Sequence, residues 1–467
     1  MQLLNLYIDN YKNLVDFNWD IGEENVTSAL LLMGKNASGK TNILEAIIKI
    51  FDFLMHSKRQ KPPFAFSIKY KLENFTVTIT CNKENSIDKV SINDEIVPLF
   101  DINRINNKLI PRSQTELKNL LPDNIILYYS GFAGRFNDIT SKFKKEYTKI
   151  FRNQQNVELP PLIAIEPIHY KMILLALFSF EANNHVYNDF LMKYFNIEEL
   201  SFFEIFIEEH AGLNKDKSNK NQGVVRNFLD SIYEIQLQND VDGCSSSRVK
   251  KSVFSFNGNN ALFKLKKIFG YENDIFKLLN ILYTTKNLIN IIVRVKKRGI
   301  TNPIDFDLLS EGEQQFLAIK GMIYLLQGKN SLFLWDEPDT YLNPSWQWDL
   351  IPSLENENSI QTDQFIITSH SPVLLTTVKK QAYYIENGVL SNVNNSYGLT
   401  IDESLEKQKI NIRIEELDKK LNKYFELIES GNANSEEAKE LRLTLEDLLG
   451  VNHQELQRAD VLISFYE

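Results

Sequence analysis

The run Gly34-Lys35-Asn36-Ala37-Ser38-Gly39-Lys40-Thr41 carries residue types that hold phosphate. Its glycines let successive backbone N–H groups turn toward one anion, and a helix start behind them adds the positive end of its dipole. Lys40 reaches terminal phosphates as a point charge and Thr41 offers a hydroxyl to Mg²⁺, while Gly34, Asn36, Ser38, Gly39 and Asn42 complete the cradle. Such a loop needs a carboxylate on the far side of the ion. Asp336, at the end of the apolar run Ser331–Trp335, supplies it, and Glu337 beside it is suited to polarising water. Adjacent strand residues point to opposite faces, which predicts Asp336 toward the metal and Glu337 toward the attacking water. His370 ends another apolar run, Gln364–Ser369, as a candidate contact to the γ-phosphate. Taken singly, a glycine turn, an acidic strand end and a lone histidine are commonly structural; their order along one chain favours the chemical reading.

Ser310 and Gly312, in Leu309-Ser310-Glu311-Gly312-Glu313-Gln314-Gln315, stand at a second helix start with anion-binding character. By itself this is an ordinary N-cap. One nucleotide needs one cradle, however, so a second cradle predicts a nucleotide sandwiched between two copies of the chain, each contributing one end.

Several elements must position these groups. Ala29–Met33 reads as a buried strand feeding the glycine loop, and Asn42–Ile50 as the helix after it. Leu3–Tyr11 reads as a first strand with Lys12 and Asn13 at its exit, and Ser67–Leu72 with Phe75–Thr80 as a period-two meander. Lys58–Lys61 leads into Pro62-Pro63, a stop signal, and Asn124–Gly131 is another strand ending in a turn. Between residues 137 and 300, Tyr170–Phe178 and Phe202–Glu209 are predicted as helices, with the polar stretch Asn214–Gly223 exposed between helical pieces. Past Tyr397, Ile410, Ile414, Leu417, Leu421, Tyr424 and Ile428 fall on one stripe of a charged helix. Asn434 with Glu437 resembles a capping box, Gly450 ends that second helix, and Gln454–Phe465 makes a third. The organisation predicted is an N-terminal lobe over 1–136, a helical insertion over 137–300, a second lobe over 301–397 and a helical extension over 398–467.

At 467 residues the chain exceeds what one compact core holds. A net charge of −9 excludes a wholesale basic nucleic-acid binder but leaves two local clusters as candidate DNA contacts. These are Lys142, Lys144, Lys145, Lys149 and Arg152, and Arg294, Lys296, Lys297 and Arg298; solvated faces are the alternative. Cys81 and Cys244 form neither a metal pattern nor a disulfide framework, which fits a reducing, cytoplasmic setting. The N-terminus alternates like a strand rather than a leader, and no apolar run is long enough to span a bilayer.

The four elements, in this order, resemble the ABC ATPase superfamily and its SMC/RecF-like branch. Lys40 and Thr41 match Walker A, Ser310 and Gly312 the signature, Asp336 and Glu337 Walker B, and His370 the switch histidine. The resemblance implies ATP with Mg²⁺ and an α/β fold: an ABC-type ATPase head, with a P-loop NTPase core and an antiparallel β subdomain, plus a helical insertion and a helical C-terminal extension. Asn10-Tyr11-Lys12-Asn13 resembles the strand-end segment that touches nucleotide in SMC-like heads, which makes Lys12 and Asn13 further nucleotide contacts. Asn343 stands where the D-loop usually carries aspartate, and the Tyr128–Gly131 turn, in the Q-loop region, lacks a glutamine.

Asp336–Pro344, Tyr128–Gly131 with Arg135, and the tail Glu437–Arg442 through Leu456–Asp460 are similar to the PtuA-type ATPases of the Septu anti-phage system, which also appear beside some retrons. The long interval between Gly34 and Leu309 suits an SMC-like head better than a transporter subunit, and its lack of sustained heptads disfavours paired coiled coils. The residues after His370 show neither a Toprim-like acidic cluster nor an HNH pattern. The resemblance therefore implies a separate nuclease subunit, of the HNH, PtuB-like type, controlled by ATP-sandwiched homo-oligomers without a membrane partner. The alternative is a RecF-like DNA-repair ATPase with no nuclease.

Overall fold

The computed structural model opens on an antiparallel hairpin, β1 (Gln2–Tyr11) and β2 (Leu14–Asp20), turning at Lys12 and Asn13. β3 (Ala29–Met33) and the helix α1 (Lys40–Met55) follow. β4 (Phe66–Leu72), β5 (Phe75–Cys81), β6 (Ile87–Ile92) and β7 (Glu95–Val97) extend the hairpin into a six-stranded sheet of order β2-β1-β4-β5-β6-β7. β8 (Phe100–Ile102) pairs with β9 (Leu109–Pro111). Next come β10 (Ile125–Tyr129), α2 (Asn137–Asn153), β11 (Leu162–Ala164), α3 (Pro167–Phe178) and α4 (His185–Phe195). β12 (Ile197–Glu209), β13 (Lys250–Asn257), α5 (Glu272–Thr284), β14 (Leu288–Lys297) and β15 (Ile304–Asp305) lead to α6 (Glu311–Leu326). β16 (Leu332–Asp336), α7 (Pro344–Asn356), β17 (Gln364–Ser369), α8 (Pro372–Thr377), β18 (Ala382–Glu386) and β19 (Val389–Asn392) complete the first compact unit, Met1–Gly398. The structure describes residues 1–23, 27–55, 62–82, 87–97, 100–102, 109–111, 119–131, 136–153, 160–179, 185–209, 228–230, 232, 250–258, 262, 272–326, 330–356, 362–408, 410 and 413–466. Lys58–Lys61, Arg135, Asn214–Gly223 and Cys244 lie outside them.

The site rests on a seven-stranded sheet of order β11-β10-β16-β17-β3-β18-β19, parallel from β11 to β18. Such strands are buried on both faces, and their alternation sorts side chains between two cores. Leu30, Leu32, Leu332, Leu334 and Ile366 pack with Ile43, Leu44 and Ile47 of α1 and with the antiparallel sheet. Leu31, Met33, Phe333, Trp335, Phe365 and Ile367 pack instead with Met172 and Ile173 of α3 and Leu317 and Met322 of α6. Asp336 continues the face of Leu332 and Leu334, and so it emerges toward α1.

The insertion departs from the helical expectation at Phe202–Glu209. That segment lies in β12, the middle of a four-stranded antiparallel sheet of order β13-β12-β14-β15. Phe203, Ile205 and Ile207 are buried on one face and Glu204 and Glu208 are less so, a period of two that an aromatic and β-branched run favours over a helix.

The second unit, Leu399–Glu467, contains α9 (Ile401–Lys407), α10 (Glu415–Glu429), α11 (Glu436–Leu449) and α12 (Gln454–Tyr466). Leu421, Tyr424, Ile428, Ala438, Leu445, Leu456 and Ala459 form its core. Ile410 and Ile414 do not join the predicted stripe: Ile414 is the N-cap of α10 and both are exposed. The carboxylates of Glu415, Glu416 and Asp418 instead occupy the first turn, where the helix dipole favours them. Ser435, rather than Asn434, caps α11, its hydroxyl accepting from the Ala438 N–H, and Gly450 ends that helix at φ 87°. Arg442 ties α11 to α12 by donating to Glu446, to Asp460 and to the Leu456 carbonyl. Among the described residues, no helix is long and apolar enough to cross a membrane.

Candidate functional site

The C-terminal ends of β3, β10, β16 and β17 open onto one cavity of about 580 Å³, a volume that accommodates a nucleotide. Asn36, Ser38, Gly39, Lys40, Thr41 and Asn42 line it from the loop after β3 and the start of α1. Lys12 and Asn13 enter from the β1–β2 turn, and Asp336, Glu337 and His370 from the ends of β16 and β17. Gly34 begins the loop at φ 153°, where an added Cβ would lie 2.5 Å from the Ile385 carbonyl oxygen. A Cβ at Gly39, φ 118°, would lie 2.6 Å from Asn13 Nδ2. Asn13 in turn donates to the Ser38 carbonyl at 2.8 Å and accepts from Asn42 Nδ2 at 2.5 Å, so the hairpin turn braces the loop. Lys12 reaches Glu45 on α1 rather than extending freely. Ala37 (φ 64°) and Glu337 (φ 53°) hold left-handed conformations that L-residues rarely adopt, a strain that collects at functional sites.

Thr41 Oγ1 donates to Asp336 at 2.9 Å, and Thr368 Oγ1 donates to the same carboxylate at 2.5 Å. Thr368 is a buttress that sequence reasoning missed; its only signal was its place one strand over, in register with Asp336. Ser130 and Gly131 also line the cavity, from the turn that ends β10. Glu337 does not leave on the face opposite Asp336, as strand alternation predicted. β16 stops at Asp336, and the left-handed turn at Glu337 swings its carboxylate back to 3.8 Å from Lys40 and 3.2 Å from His370 Nε2.

Lys40 Nζ donates to the Gly34 carbonyl at 2.7 Å and lies 2.7 Å from His370 Nε2. An ammonium has no lone pair, so the imidazole nitrogen accepts and His370 is neutral. Burial and then Lys40 lower the His370 pKa to about 4, in agreement. Burial, then Asp339, raise Glu337 to about 7, which makes it a base poised near neutral pH. Desolvation lowers Lys40 despite Glu337 and Asp336 beside it. Partial burial of these groups strengthens the interactions among them relative to water.

Ser310 and Gly312 are not part of this cavity's lining. They stand at the start of α6, where the Gly312 backbone fits so closely under Tyr341 that a Cβ would lie 2.5 Å from its carbonyl oxygen. Asn343 caps α7, its Oδ1 accepting from the Trp346 N–H. Gln347 joins the D-loop region to the switch segment: it donates to the Asp339 and Leu342 carbonyls and accepts from Ser371 Oγ at 2.6 Å. The basic run on β14 is paired, Arg294 with Asp305, Lys296 with Glu199, Lys297 with Glu313 and Arg298 with Glu198. Lys142 meets Asp52 and Lys144 meets Glu166.

The residues fit a nucleotide with Mg²⁺. Ser38 Oγ is buried without a hydrogen-bond partner, and the Gly34 and Gly39 backbones leave no room for a side chain. Among the described residues, no three His, Cys, Asp or Glu side chains form a metal cluster of their own. A hydroxyl and one carboxylate, Thr41 and Asp336, are hard donors of the kind that would hold Mg²⁺ together with phosphates and water.

Known proteins similar to this chain include two relatives and one solved structure. The "Retron Vc95 probable ATPase" of Vibrio cholerae serotype O1 biovar El Tor is 23% identical over 501 residues, covering 95% of this chain and 87% of that protein. The "Retron Ec83 probable ATPase" of Escherichia coli is 30% identical over 164 residues, 32% of this chain and 30% of that protein. The solved SMC head domain from Thermotoga maritima aligns at 12% identity over 84% of this chain and all of its own, with a TM-score of 0.34. A family model described as "AAA domain, putative AbiEii toxin, Type IV TA system" matches residues 30–376. The chain belongs to that family, and proteins named as probable retron ATPases are among its relatives.

Proposed function

We propose that this family member binds and slowly hydrolyses ATP as a head-to-head homo-oligomer, and that its nucleotide state controls a separate nuclease of an anti-phage module. The observation that carries the reading is the division of its anion-binding groups. Lys40, Thr41, Asp336, Glu337 and His370 share one cavity, whereas Ser310 and Gly312 stand outside its lining. Such half-sites become complementary when a second copy places its Ser310 loop against the first copy's nucleotide.

In this reading Lys40 holds the terminal phosphates, with Asn13 keeping the loop closed around them. Mg²⁺ held by Thr41 and Asp336 would neutralise charge on the phosphate oxygens. Glu337 accepts a proton from the attacking water, and neutral His370 orients the γ-phosphate. Ser310 and Gly312 of the second copy complete the donor set. The resemblance to Septu-type ATPases and the retron-named relatives support a cytoplasmic defence complex, in which an HNH-type subunit supplies the nuclease. The paired state of the β14 basic run gives no support to the DNA-repair alternative.

Replacing Glu337 with glutamine tests the clamp. The variant retains ATP and associates on ATP addition, and Ser310→Arg in the same background abolishes association while ATP still binds. If Glu337→Gln neither retains ATP nor changes association, the reading fails. A pull-down from native cells tests the nuclease half, which is lost if the chain is recovered with no nuclease attached.

A further inference from the structure

Both hydrogen-bond donors of Ser310 face one carboxylate. Its N–H donates to Glu313 Oε2 at 2.9 Å, and its hydroxyl donates to the same oxygen at 3.0 Å. The Glu313 N–H approaches Ser310 Oγ at 3.3 Å, closing a reciprocal cap on α6. The cap therefore sets a negative charge directly behind the serine. In the head-to-head clamp that serine meets the other copy's terminal phosphate, and two anions this close repel strongly wherever water is thinned out.

The other Glu313 oxygen accepts a 2.7 Å hydrogen bond from Lys297 Nζ, at the end of β14. This pair is shielded, with side chains 16% and 19% exposed. The neighbouring bases of the same run are different: Arg294, Lys296 and Arg298 are 49%, 46% and 70% exposed, and pairs of that kind contribute little. Burial pushes the Glu313 carboxyl up, but hydrogen bonds from Lys297 and Ser310 outweigh it and keep it below the usual range, so it stays ionised.

Resting on the clamp proposed above, we infer that Lys297 is a positioning residue for the half of the site that acts on the second copy's nucleotide. It cancels the Glu313 charge and anchors Glu313 in the cap. The Ser310 N–H then stays capped while the hydroxyl is free to rotate toward an incoming phosphate with no net anion behind it. A base read from sequence as a DNA contact or a solvated face becomes part of the nucleotide machinery.

The test uses the full chain carrying Glu337→Gln. Sedimentation reads ATP-driven association, and a fluorescent ATP analogue reads binding to the Lys40 cavity. Adding Lys297→Met weakens association about tenfold, the scale of one unpaired, partly shielded charge beside an anion, and leaves analogue affinity of the unassociated chain unchanged. Adding Glu313→Gln as well restores association, because the neutral amide still accepts from the Ser310 N–H without repelling phosphate. Glu313→Gln without the lysine change associates at least as tightly as the parent, because Lys297 is then an uncancelled cation facing the phosphate. A packing role for Lys297 would not be rescued this way. Undiminished association with Lys297→Met, or no recovery on adding Glu313→Gln, overturns the inference and leaves the clamp standing. Failure of Glu337→Gln itself to associate with ATP overturns the clamp and this inference with it.

Discussion

The Lys40 ammonium lies 2.7 Å from Nε2 of His370, joining the start of α1 to the end of β17. The contact requires a neutral imidazole that accepts, so His370 and Lys40 can share one phosphate oxygen without competing as like charges. In the proposed mechanism His370→Ala removes the group that orients the terminal phosphate and leaves the Gly34–Thr41 loop in place. Steady-state hydrolysis should fall by about a hundredfold, the scale of one positioned polar group, with ATP affinity changing far less. An unchanged rate would remove His370 from the chemistry.

Thr368 buttresses Asp336 from the neighbouring strand, its hydroxyl donating to Oδ1 at 2.5 Å. Thr368→Val keeps the shape and deletes one of the donors that fix the carboxylate, leaving Thr41 to hold it. Partners behind a metal ligand typically matter by about ten- to a hundredfold. A Mg²⁺ titration of ATP binding should show at least the lower figure, and ATP binding without Mg²⁺ should stay as it was.

Gly321 sits in the interior of α6, where alanine would ordinarily stabilise a helix by about 1 kcal/mol. Here the added Cβ would lie 2.2 Å from Ile173 Cγ2 of α3. Overpacking costs about 1–3 kcal/mol and therefore wins. Gly321→Ala should lower the thermal unfolding midpoint, and a rise would show that α3 and α6 can separate freely.

His169 and Glu166 make the first unit acid-sensitive. Burial holds the His169 pKa down, with Asn280 bonded to its Nε2. For Glu166 burial acts upward, but hydrogen bonds from Lys144 and Tyr283 prevail and the pKa is lowered. Both folded-state pKa values lie below their unfolded ones. Their stabilisation is therefore complete at neutral pH and is lost on acidification, first from His169 below its ordinary 6.5 and then from Glu166 below its ordinary 4.5. The unfolding midpoint should fall between pH 7 and 5, and His169→Asn should flatten that part of the profile. A slope identical to the parent's would assign the acid sensitivity elsewhere.

Much of the architecture was readable because it is local. The glycine loop sits between a run of apolar residues and a helical spacing, and both are properties of neighbouring residues, so β3 and α1 appear where Ala29–Met33 and Asn42–Ile50 predicted them. The same holds for Asp336 and His370, each delivered by its own apolar strand. Phe202–Glu209 misled because a short aromatic run fits either period until its partners are known. Its pairing with Lys250–Asn257 and Leu288–Lys297 is what makes it a strand.

The amino-acid order by itself determined the chemical vocabulary of this protein: a phosphate loop, an acidic strand end, a second helix start and a histidine. Only the folded chain decided how the words combine. Glu337 turns back toward Lys40 because its strand has ended, Thr368 reaches Asp336 across a parallel register, and Lys297 meets Glu313 after β14 returns along the insertion sheet. Each of these contacts joins separately coded segments, or hangs on a backbone angle that packing imposes, and residue spacing carries no record of either.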